Sequence, residues 1–170
     1  MNKTVRVLSA GVAVAALALT GCAGDPADAA TVGGVRIADS TVRGVARSIV
    51  EATGTDPAIA LKQATYDLVL GEASRQIAAA SGTAVSVADR TAVVGQNQLA
   101  AAVSATEAGA PWGEAVGTTY VLLDELGEQK YIEELNKLDI EVNPRYGRWD
   151  AAGVTIADAP LSNAATAANA

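Results

Sequence analysis

One cysteine, no histidine and 19 acidic side chains bound the chemistry open to this 170-residue chain. Cys22 has no partner for a disulfide within the chain, which leaves an intermolecular bridge, a buried thiol, a nucleophile or a modification site. A nucleophilic thiol needs a base or a nearby cation to raise its thiolate fraction, and there is no imidazole to serve. The usual zinc sites take several Cys or His ligands and the common hydrolytic triad takes a His base, so neither fits. Two acidic pairs, Asp124-Glu125 and Glu133-Glu134, could bind calcium or act as acid and base. Adjacent helical residues point in different directions, however, and both pairs read as solvated helix faces. Gly33-Gly34 lacks the G-x-G-x-x-G spacing of a phosphate loop. The expectation is a protein that is not an enzyme and takes no cofactor and no metal.

The residues before Cys22 say more about the sulfur. In MNKTVRVLSAGVAVAALALTG, Lys3 and Arg6 are followed by an uncharged run from Val7 to Leu19, the layout of a secretory signal. As a helix that run reaches only ~20 Å at ~1.5 Å per residue, short of the ~30 Å of a bilayer's hydrocarbon core. Leu19, Thr20, Gly21 and Cys22 then resemble the lipobox of bacterial lipoproteins: apolar, small, small, Cys. The resemblance implies diacylglycerol transfer to the Cys22 thiolate and cleavage between Gly21 and Cys22. The product would be lipid-anchored on the extracytoplasmic face of the cell membrane.

Removing Lys3 and Arg6 with the first 21 residues leaves ten basic against 19 acidic side chains, net −9. Such a domain repels nucleic acid and anionic headgroups, so membrane attachment falls to the lipid. Residues 22–30, CAGDPADAA, are small and interrupted by Pro26, as suits a flexible tether. Residues 31–150 suffice for one domain, and 151–170, rich in Ala, Thr and Asn without apolar period, read as a disordered tail. The absence of Phe beside abundant Ala and Val implies close packing of small side chains, a bias resembling that of high-GC actinobacteria.

Within the domain, β-branched residues flank Gly33-Gly34, which predicts a hairpin over Thr31 to Ile37. Asp39 or Ser40 caps a helix whose apolar stripe is Val42, Val45, Ala46, Ile49 and Val50, stopped by Gly54. Asp56-Pro57 starts a second helix, with Tyr66, Val69, Leu70, Ala73 and Ile77 inward and Gly82 at its end. Ser86 and Asp89 open a third, running to about Thr106 with Val93, Gln96, Ala100 and Val103 on one face. Gly109 to Gly113 is a break. Trp112, Ala115, Val116, Thr119, Leu122, Leu123 and Leu126 mark a fourth helix, ended or bent by Gly127, and Tyr131, Ile132, Leu135 and Leu138 continue the pattern. Ile140 and Val142 alternate with acids ahead of Asn143-Pro144, predicting a short strand that pairs with the hairpin. The fold class expected is mostly α, with a small β cluster made by the two ends of the domain. Trp112, Tyr120 and Tyr131 are expected in its core.

This order of elements, with Val32, Gly33, Gly34 and Ile37 in the hairpin and Asn143, Pro144, Arg145, Tyr146, Gly147 and Trp149 near the end, resembles the N-terminal chaperone domain of SurA- and PrsA-type foldases. Gly33 stands where that family usually has Asn. The resemblance implies a helical domain that shields unfolded or extended secreted polypeptides. Its isomerase members add a parvulin domain of about a hundred residues, for which the 20 residues after Asp150 leave no room, so isomerase activity is expected to be absent. A small surface lipoprotein that binds one ligand or one protein partner is the competing expectation, and the aromatic residues are where the two would differ.

Overall fold

The computed structural model describes residues 27–158. The signal segment, the proposed lipidation site Cys22 with the cleavage position at Gly21, the start of the tether and residues 159–170 lie outside the described residues.

The chain enters as β1 (Asp28–Val32), turns at Gly33-Gly34 and returns as β2 (Val35–Ala38), paired antiparallel with Val32 opposite Val35. Gly33 and Gly34 have φ of 53° and 81°, the two positive values that a two-residue type I′ turn demands. The predicted hairpin is present, but its first strand starts inside the segment expected to be tether. Ala29 and Ala30 are buried, because their small side chains fit beneath the helices where a larger residue would not.

Helix α1 (Asp39–Thr53) follows at once and ends at Gly54 in the left-handed conformation. Neither Asp39 nor Ser40 caps it: the cap position is Ala38, and Asp39 is already helical, its carboxylate turned to other partners. Asp56 does cap α2 (Pro57–Ser81), accepting bonds from the amides of Ala58 and Ile59, with Pro57 in the first turn and Gly82 closing the helix. The third expected helix is two. α3 (Val87–Gly95), capped by Ser86, stops at Gly95, and Asn97 starts α4 (Gln98–Ser104) by accepting bonds from Leu99 and Ala100 amides. A glycine followed by a strong cap residue favours a break over one continuous helix. The break expected at Gly109 to Gly113 is shorter than expected: α5 (Ala110–Leu126) begins at Ala110 with Pro111 in its first turn. Gly127 turns the chain into α6 (Glu128–Leu135).

Strand β3 (Ile140–Val142) pairs antiparallel with β1, Val32 opposite Ile140 and Ala30 opposite Val142, so the sheet order is β2-β1-β3. The chain is mostly helical with a small β cluster joining its two ends, as the apolar pattern predicts. Beyond it, β4 (Arg148–Asp150) and β5 (Thr155–Ala157) form a second hairpin. Residues 151–157 are therefore not tail. Ile156 is buried at 2 % exposure, and one buried side chain with strand pairing suffices to order a segment whose composition looks structureless.

Helix α2 runs through the middle, covered by α1, α5 and the sheet. Gly71 permits the approach of α5: a β-carbon there would lie 2.3 Å from that of Ala115. Val32, Val42, Val45, Val69, Val103, Leu122 and Leu135 are almost fully enclosed. Each such burial contributes about 1.5–3 kcal/mol. Among the described residues, buried apolar side chains from Ala29 to Tyr146 form one continuous cluster.

Candidate functional site

The motif residues gather at the junction of the two chain ends. Asn143 donates its Nδ2–H to the carbonyl of Asp28 (3.0 Å) and its backbone N–H to Ala29 (2.8 Å), extending the β1–β3 ladder. Its Oδ1 accepts from the backbone N–H and Nε–H of Arg145, which closes the turn begun by Pro144. Arg145 then reaches Asp39 (3.2 Å), with its guanidinium 5.8 Å from the ring centroid of Tyr146. The buried Tyr146 donates its O–H to the same Asp39 oxygen, and Arg43 pairs with the other oxygen at 2.7 Å. The bond from Arg43, then that from Tyr146, with the nearby arginine charges, hold the Asp39 carboxyl below its usual range. Gly147, at φ 125°, sits against Ile156 and Ala157, and Trp149 is half-buried opposite Ile156. Val32 and Ile37 are core residues, and the Val32 carbonyl accepts a 2.7 Å bond from Gln76 Nε2. The Gln76 amide also stands where a β-carbon at position 33 would point. Gly33, in the place of the resembled family's Asn, leaves it that room. These residues form a clasp between the two ends of the described region.

A surface able to bind something lies elsewhere. Five large apolar residues are exposed among those described: Val35, Ile59, Val87, Leu99 and Tyr120. Three of them, Ile59 (62 %), Leu99 (43 %) and Tyr120 (58 %), line one cleft of about 550 Å³. Two helices build its floor from rows of residues four apart, which share a helix face: Ile59, Gln63 and Asp67 on α2, Trp112, Val116 and Tyr120 on α5. Helices α3 and α4 form the opposite wall through Val93, Val94, Leu99 and Val103, and the end of α1 closes it with Ile49 and Thr53. The break between α3 and α4 places Gln96 and Asn97 on the rim.

Asp67 is the one charged residue in this lining. Its Oδ2 accepts the indole N–H of Trp112 at 2.6 Å and the amide of Gln63 at 3.1 Å. Burial pushes the Asp67 carboxyl up from its ordinary value, and the bonds from Trp112 and Gln63 pull it partly back. Burial, then the charges of Asp67 and Tyr120, also push up the Tyr66 phenol beside it.

Of the aromatic residues expected in the core, Trp112 and Tyr131 are there, and Tyr131 shares a buried hydroxyl contact with Ser74. Tyr120 is not: it stands at the mouth of the cleft. Of the acidic pairs, Asp124, Glu125 and Glu133 are exposed, and Glu134 pairs with Lys137 at 2.7 Å. A second groove, about 650 Å³, lies over β1, β3 and Trp149, where Ile140, Val142 and Trp149 are half-buried. Sequence reasoning passed over Asp67; the signal available was a Gln63–Asp67 pair one turn apart on α2.

Among the described residues no helix is long and apolar enough to cross a membrane, and no group of three or more His, Cys, Asp or Glu is placed to hold a metal ion. No family model, curated protein or solved structure matches the chain.

Proposed function

We propose that this protein is a lipid-anchored, extracytoplasmic chaperone or assembly factor, SurA-like in kind, that holds extended apolar segments of secreted polypeptides without isomerising or hydrolysing them. The observation that carries the reading is the convergence of Ile59, Leu99 and Tyr120 on a single cleft. Exposed apolar side chains gathered in one place, rimmed by amides and hydroxyls, mark an interaction surface, whereas singly scattered ones need no explanation. The resemblance of the hairpin and the Asn143 to Trp149 segment to the SurA and PrsA chaperone domain supports the same reading, as do the net charge of −9, which keeps an apolar-binding domain soluble, and the lipobox around Cys22, which would hold it where secreted chains emerge.

The test is suppression of aggregation of several unrelated unfolded proteins by residues 23–170 at near-stoichiometric ratio. The expected result is suppression of most of them, weakened by Leu99→Ala and Tyr120→Ala together. The size of the cleft, within the ~300–1,000 Å³ usual for small-molecule sites, favours the second reading, a binder of one ligand. No suppression of any client, beside a large thermal shift with one extract component, would establish that reading instead. Mass spectrometry of the mature N-terminus tests the anchor: a diacylglyceryl group on Cys22 is expected, and a free thiol there removes it.

A further inference from the structure

Asp67 is the single charged residue in a cleft otherwise lined by apolar and neutral polar side chains, and its carboxylate lacks a cation. Asp67 is bonded by neutral donors alone, Trp112 and Gln63, and both bonds fall on Oδ2. Among the described residues no Lys or Arg forms an ion pair with it, although Asp28, Asp39, Glu72, Glu114, Glu134 and Asp158 each have one. The aromatic rings of Trp112 and Tyr120 stand in the same row of α5, with Tyr66 near enough for its phenol to feel the charges of Asp67 and Tyr120. A carboxylate in a cleft that also holds aromatic rings is a setting that attracts an organic cation, through charge first and through the rings where a face is reached.

We propose that the cleft selects extended polypeptide segments in which a lysine or arginine side chain is flanked by apolar residues, with the cation seated at Asp67. The apolar flanks follow from the rim: Ile59, Leu99 and Tyr120 remain exposed around the carboxylate, and a small ammonium ion seated at Asp67 would leave them so. A polypeptide places successive side chains to opposite sides at ~3.3 Å per residue, and so offers apolar groups on either side of one cation. The net charge of −9 over residues 22–170 favours approach of a basic segment over an acidic one. Burial raises the Asp67 carboxyl, and a cation bound beside it would bring it back toward its ordinary range. The inference rests on reading the cleft as a site for extended segments and names the chemistry of those segments.

Fluorescence anisotropy with residues 23–170 tests it, using three labelled nine-residue peptides alike except at the centre, which is Lys, norleucine or Glu. The lysine peptide is expected to bind about tenfold tighter than the norleucine peptide and the Glu peptide weakest, a charge-assisted bond being worth about that much. Asp67→Asn, close in size and still able to accept the Trp112 bond, should bring the lysine and norleucine peptides within about twofold of each other. Tyr120→Ala, at an exposed position where folding is not at stake, should weaken the lysine peptide more than the norleucine one. Equal binding of lysine and norleucine peptides to the unaltered protein would overturn the cation preference and leave the chaperone reading standing. Butylammonium alone competing as strongly as the lysine peptide would overturn the polypeptide as occupant. Failure of all three peptides to bind, together with no suppression of aggregation, would overturn the chaperone reading itself.

Discussion

Asp39 and Asp67 are two half-buried aspartates, each bonded to an aromatic side chain, and they sit in opposite electrostatic settings. At the clasp, Asp39 takes bonds from Tyr146, Arg43 and Arg145, and its carboxyl titrates lower than usual. In the cleft, Asp67 takes bonds from Trp112 and Gln63 only, and burial makes it titrate higher. A carboxylate with cations on both oxygens holds the fold together, whereas one that folding leaves without a countercharge weakens the fold unless something outside supplies it. The two carboxylates of one domain are thereby told apart by their partners.

The largest expected effect is at the clasp. Tyr146→Ala removes a buried aromatic that joins the chain ends, and denaturant unfolding should register a loss of about 3–5 kcal/mol. A loss under about 1 kcal/mol would mean that the ends are held by the β1–β3 ladder alone. Tyr146→Phe keeps the ring and removes the O–H bond to Asp39, for a smaller loss of about 1–2 kcal/mol.

Acid sharpens the contrast in sign. The unfolded value of an aspartate is about 3.9. Because the Asp39 carboxyl is lowered on folding, its contribution is present above that value and disappears as pH falls through the folded value. Asp39→Asn should flatten the fall in stability below about pH 4, and an unchanged acid limb would remove Asp39 from the account. Asp67 is raised, so its contribution is present below about pH 3.9 and disappears as pH rises through the folded value. Asp67→Asn should therefore leave the domain no less stable near neutral pH, a result that a stabilising role for the charge would reverse. The smallest effect on stability is expected from Tyr120→Ala and Leu99→Ala, within about 0.5 kcal/mol each, alongside a measurable loss of client protection. Loss of folding without loss of protection would invert the assignment of the two regions.

Local punctuation made most of the fold legible in the sequence. Gly33-Gly34, Gly54, Asp56-Pro57, Gly82 and Ser86 each act within a turn or two of themselves, and each does in the structure what its chemistry predicts. Val42, Val45, Ala46 and Ile49 likewise face inward as their spacing requires. What escaped depends on partners that only the folded chain supplies. Asp39 looks like a cap until Arg145 and Tyr146 arrive from 106 and 107 positions away. Thr155, Ile156 and Ala157 look structureless until Arg148 to Asp150 pair with them. The cleft had no sequence signature beyond the Gln63–Asp67 spacing, since its floor and wall come from four helices and its one charge, Asp67, lies on a helix whose neighbouring faces are core.

The position of β1 in its sheet sets an order of events during synthesis. As the middle strand it needs β2 on one side and β3 on the other, and β2 arrives immediately while 115 positions separate Asp28 from Asn143. Until that last stretch appears, a growing chain has its central strand open along one edge, and closing so long a loop is the slow part of assembling such a fold. A protein read here as a guardian of unfinished chains therefore passes through its own interval with an unpaired strand edge.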